Sequence, residues 1–201
     1  ILLRRDAPGL VVANGGIQTH PNTGRDKLNL DTMQPNLSYL GFDGAMDGQM
    51  RLPDDLHQNS IRHLTIRGDG TVGFAMQWQG DPGADVPIVG VHRPGTAPRL
   101  LAEDDPRLRN LNGYGGSISF STDGGEIAVT SPRGGVVQIM DVMSGHMRHE
   151  HKLDDVCGLT TRDDSFIASA GTGQIVSLNS ARMRPVSHPD LRWDNHLIRL
   201  T

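Results

Sequence analysis

Residues 61–77 read IRHLTIRGDGTVGFAMQ, and this stretch decides the fold. Leu64 and Ile66 alternate with Thr65 and Arg67, the period of two expected of a strand with one buried face. Gly68, Asp69 and Gly70 follow, residues that accept positive φ and let the chain reverse tightly. Val72, Phe74 and Met76 then resume the alternation. The same template returns at residues 116–131 (GSISFSTDGGEIAVTS) and, more loosely, at 157–170 (CGLTTRDDSFIASA). With Leu64 set against Ile118 and Leu159, Asp69 falls on Asp123 and Asp164 without a gap. Three aspartates thus share one turn position, where their side chains are expected to bind backbone amides.

Working outward, Leu2 and Leu197 fit the slot of Leu64, so the leading positions are spaced by 62, 54, 41 and 38 residues. The last two spacings match the roughly 40–45 residues of a four-stranded propeller blade. The first two are that length plus insertions. A repeat of four antiparallel strands cannot bury both faces alone and must stack on its neighbours. The expectation is an all-β propeller of four-stranded antiparallel blades, about four of them in this chain, as a single domain over 1–201. The repeat units run over 1–56, 57–112, 113–153 and 154–192, with a closing strand over 194–200. First strands are expected near 2–5, 63–66, 117–121 and 157–161, and a short helical turn at PRLRNL. The opening ILLRR starts inside a first strand, so the chain reads as an N-terminally truncated propeller.

Composition agrees. Gly is 25, Pro 12 and aromatics only 4%, which suits short strands and turns better than helices. A net charge of −4 with scattered Lys and Arg argues against a nucleic-acid partner. No apolar run approaches the roughly 18 residues of a membrane-spanning helix. The single cysteine, Cys157, sits in an apolar strand and reads as an inert thiol. His146, His149 and His151 lie on an outer strand, where a solvated edge that discourages pairing is favoured over a zinc site.

Several phrases carry a family resemblance: GLVVANGGIQTHPNTGRDKLNLDTMQPNL (9–37), SIRHL (60–64), SPRGGVV (131–137) and WDNHL (193–197). Over essentially its whole length the chain resembles the bacterial domain of unknown function 1513. The resemblance implies an exported, seven-bladed propeller of the YVTN/WD40-like group, periplasmic and linked to iron uptake. It implies no activity.

The candidate site lies where first strands enter the channel. One residue before the aligned apolar positions stand His63, Ser117, Gly158 and His196, and two before stand Arg62, Gly116, Cys157 and Asn195. Arg62, His63, Asn195 and His196 are therefore candidate ligand-binding residues, with His63 and His196 as candidate ligands of a divalent metal. The long connection 15–35 adds His20 and Arg25, since a loop of that length between neighbouring strands is often functional. The reading that follows is a non-enzymatic propeller binding a partner protein or small ligand on its channel face. The alternative is a metal-dependent hydrolase of the propeller lactonase type. It is disfavoured because first-strand starts offer only Asp155 and Asp194 as carboxylates.

Overall fold

A computed structural model of the chain describes residues 1–187, 190–194 and 196–198. Among the described residues, sixteen strands form four separate antiparallel sheets of four. The first holds β1 (Leu2–Leu3), β2 (Leu10–Asn14), β3 (Asn36–Leu40) and β4 (Met46–Arg51). The second holds β5 (Asn59–Ile66), β6 (Val72–Trp78), β7 (Val89–His92) and β8 (Arg99–Leu100). The third holds β9 (Ser117–Phe120), β10 (Glu126–Ser131), β11 (Val136–Asp141) and β12 (Met147–Lys152). The fourth holds β13 (Val156–Arg162), β14 (Ser165–Ala170), β15 (Ile175–Leu178) and β16 (Met183–Ser187). Within each sheet the strands pair in chain order, which is the blade of a propeller. Described helical residues are confined to short 3₁₀ turns, one of them Pro106–Leu111 as expected.

Each blade buries the alternating residues that predicted it. Phe74, Met76, Ile127, Val129, Ala168 and Leu159 are all buried between sheets. The first strands β5, β9 and β13 lie side by side, and hydroxyls tie the third blade to the fourth. Thr161 Oγ1 donates to Phe120 O over 2.6 Å, and Thr130 Oγ1 donates to Cys157 O over 2.7 Å. A guanidinium adds a third tie, Arg67 to Gly124 O at 3.0 Å.

The turns differ from the expectation in one blade. Asp69 Oδ1 accepts from Thr71 N and Asp123 Oδ1 from Gly125 N, each at 3.0 Å. Asp164 accepts only from the hydroxyl of Ser165, at 3.3 Å. There Arg162 pairs directly with Ser165, so the reversal has two residues, and Asp163 takes the positive φ of 53°. A tighter turn leaves no amide within reach of Asp164.

First strands also begin differently. β5 starts at Asn59 rather than at His63, because one extra residue is absorbed at Arg62. Ile61 faces Met76 and His63 faces Ala75, with Arg62 left between them. β13 repeats the slip: Val156 faces Ala170 and Leu159 faces Ala168, so Cys157 and Gly158 together oppose Ser169. In β9, Ser117 pairs with Thr130, yet the Gly116 amide also donates to Thr130 O. A β-bulge thus recurs in the first strands of blades two and four, where it frees a residue from the ladder and re-aims its side chain.

The closing strand expected over 194–200 is not a strand where it is described. Asp194 and residues 196–198 are irregular. A first strand is defined by pairing with the second strand of its blade, and none lies beside these residues among those described.

Candidate functional site

At the bulge Arg62 is exposed and His63 is half-buried. The chain after β16 then returns to this point. Trp193 Nε1 donates to Gly173 O over 3.0 Å, fastening this return to the turn after β14. Asp194 lies close enough to Cys157 for its charge to act on the thiol. Leu197 packs on Gly158, where a Cβ would stand 3.0 Å from Leu197 Cγ and 3.1 Å from its amide nitrogen. Gly158 is therefore the clearance that lets the chain pass.

This path brings His196 to His63, with ring centroids 5.1 Å apart and planes tilted by 54°. Burial pushes the His63 imidazole down to about 4, and the neighbouring His196 and Arg62 act in the same direction. At neutral pH the His63 ring is uncharged, with a lone pair on one nitrogen and a proton on the other. Arg62 is exposed at the bulge and has no ion pair or hydrogen bond among the described residues. Cys157 stays a thiol: burial pushes it up first, then the charges of Asp155 and Asp194. Its Sγ donates to Asp155 O over 3.3 Å.

Of the predicted site residues, then, the structure gathers Arg62, His63 and His196. Asn195 lies outside the described residues. His20 and Arg25 do not join the group: no contact links either to the histidine pair among the described residues. His20 is exposed and works as a cap, its Nδ1 accepting from Asn22 N at 3.2 Å. Arg25 is exposed in the same loop. That loop does fold onto the face where β5 begins, held by Ser60 Oγ to Gly15 O (2.8 Å) and Gln58 Nε2 to Leu30 O (3.3 Å). Its Met33 is buried, while its charged residues point to solvent.

Among the described residues, no group of three or more His, Cys, Asp or Glu side chains could hold a metal ion. A divalent metal at the pair would have two imidazoles from these residues, and its other ligands would come from elsewhere. On the outer strand β12, the His149 and His151 rings stack at 6.5 Å, and His151 Nε2 bonds Asn179 O, which ties up that nitrogen.

Residues 1–200 match the family described as protein of unknown function, DUF1513. The chain belongs to the DUF1513 family. A search of curated proteins returns no match for this DUF1513 chain. Solved structures similar to it are propellers. Sqt1 of Saccharomyces cerevisiae is 15% identical with a TM-score of 0.56, covering 88% of this chain and 46% of that one. A virginiamycin B lyase from Staphylococcus aureus is 14% identical with a TM-score of 0.56, covering 77% and 49%. A gluconolactonase from Xanthomonas campestris is 18% identical with a TM-score of 0.51, covering 79% and 57%. At these identities the likeness concerns the fold alone. The DUF1513 chain spans about half the length of these propellers. No described helix is long and apolar enough to cross a membrane.

Proposed function

We propose that this DUF1513 protein is a non-enzymatic binding propeller. Its channel mouth takes an anionic or metal-bearing group, presented by a small ligand or a partner protein. The observation that carries this is the His63–His196 pair: two rings 5.1 Å apart, contributed by segments far apart in sequence, beside an Arg62 that is unpaired among the described residues. An uncharged ring beside an unpaired guanidinium suits a group that brings its own negative charge. Periplasmic location, a link to iron uptake and a seven-bladed whole ring belong to the same proposal, and their support is the family resemblance.

The experiment compares the parent with a His63→Ala, His196→Ala double variant. Elemental analysis and capture of partners from a periplasmic extract are the readouts. The variant is expected to fold normally and to lose the bound group. Equal retention of metal, ligand and partner by a folded variant would exclude the channel mouth and move the site to His20 and Arg25. A stoichiometric divalent metal, together with lactone hydrolysis that the variant lacks, would replace the binding reading with the hydrolase.

A further inference from the structure

A second cleft opens on the same face, at the junction of the second and third blades rather than on the axis. Its cavity of about 160 Å³ lies between the β6–β7 loop, the 3₁₀ turn before β9 and the β10–β11 turn. Trp78 forms an aromatic wall, and its ring is fixed twice. Its Nε1 donates to Asp81 O over 2.8 Å. Gly80 lies so close to the indole that a Cβ there would stand 2.3 Å from Cζ2. Ile88 and Leu108, both buried, give the lining its apolar part.

Two guanidiniums complete the cleft. Arg109 is paired with Asp85 at 2.9 Å, which meets the only carboxylate among the lining residues. Arg133 stands over the ring of Tyr114 at 5.0 Å, and among the described residues it has neither an ion pair nor a hydrogen bond. One cation is therefore left over, oriented by an aromatic ring, at the edge of an immobilised indole. Stacking leaves the edge of a guanidinium free, and that edge matches a carboxylate in two parallel hydrogen bonds. One free cation beside a fixed aromatic wall suits a small monoanion with a flat apolar body. With Arg109 already neutralised by Asp85, the cleft offers one positive charge, which matches a monoanion rather than a dianionic phosphate.

We infer that this cleft binds small carboxylates of that kind, the ring against Trp78 and the carboxylate on Arg133. The site is independent of the channel mouth.

The test uses phenylacetate and its neutral counterpart phenylacetamide, with tryptophan emission as the readout. The protein has two tryptophans, so a Trp193→Phe background isolates Trp78. Phenylacetate is expected to perturb the Trp78 emission saturably, and phenylacetamide to bind about tenfold more weakly or less, the loss of a charge-assisted hydrogen bond. Arg133→Gln should bring the two probes together, and Arg133→Lys should restore part of the preference for the acid. Arg133 is exposed, so both variants should melt with the parent. Equal binding of acid and amide by the parent overturns the inference, as does an Arg133→Gln variant that keeps the preference. A response from Trp193 alone, measured in a Trp78→Phe background, places the carboxylate at the channel return and overturns it too.

Discussion

The Tyr39 hydroxyl donates to Nδ1 of His92 over 2.7 Å, joining the first and second blades through two buried side chains. The direction of this bond is fixed by the other ring nitrogen. His92 Nε2 lies 3.0 Å from Thr96 O, a carbonyl that can only accept, so Nε2 carries the proton and Nδ1 accepts. Arg4 stands 5.6 Å over the Tyr39 ring and is itself held by Asp6 and Asp47. Burial pushes the Tyr39 phenol up and the His92 imidazole down, the latter opposed in part by Thr96.

Acid should therefore loosen this junction. An unfolded histidine binds a proton near pH 6.5, whereas folded His92 resists it, so the unfolded state holds more protons below that pH. Stability is complete above about pH 6.5 and falls as the pH drops towards the folded value. His63 acts in the same sense down to about 4. Melting temperature measured against pH should fall less steeply over this window in His92→Gln than in the parent. Parallel curves would remove His92 from the account.

Gly158→Ala tests the passage of the return segment. The new methyl would meet Ser169 Oγ at 2.6 Å as well as Leu197. Residues 196–198 should be displaced, and the His63–His196 contact with them. Since His63 would lose part of its burial and the opposition of His196, its titration should move up towards the ordinary histidine value. An unchanged His63 titration by NMR would show that the segment passes without needing the glycine.

The turn aspartates should separate into two groups. Asp69→Ala and Asp123→Ala each remove a bond to a backbone amide and should cost about 1 kcal/mol. Asp164→Ala removes no such bond and should stay within about 0.5 kcal/mol of the parent. Denaturant midpoints decide, and equal losses at all three positions would contradict the difference in turn geometry.

Gly90→Ala probes the core of the second blade. Gly90 faces Phe74 across the β6–β7 ladder, and a Cβ would stand 2.4 Å from Phe74 Cζ. Phe74 is fully buried and cannot swing aside. Overpacking of this kind costs about 1–3 kcal/mol. A variant as stable as the parent would mean that the ring has room the packing does not show.

Blades were readable in the sequence because their signal is local. Burial on one face makes Leu64, Ile66, Phe74 and Met76 alternate, and Gly68 to Gly70 mark the reversal between them. Superposing repeats also puts His63 and His196 in one slot, and the two rings do meet although the segment of His196 is irregular rather than a strand. The bulges were not legible, because a slip of one residue at Arg62 leaves the apolar pattern on either side intact. Tyr39 and His92 were missed for a different reason. They stand 53 residues apart, with no repeat relating them, and only the stacking of blades makes them neighbours. The loop residues His20 and Arg25 attracted notice through the length of their loop, which signals a surface excursion but not its direction.

The recurrent bulge at the mouth of the channel separates what a position does for folding from what it does for chemistry. In blade two the freed residue is Arg62, in blade four Cys157 and Gly158 share the place, and in blade three Gly116 holds the same repeat position just before the ladder. In blades two and four the ladder continues on either side whichever side chain stands there. Such a ring of positions can be rewritten one blade at a time, and descendants of one scaffold could change what they hold without relearning how to fold.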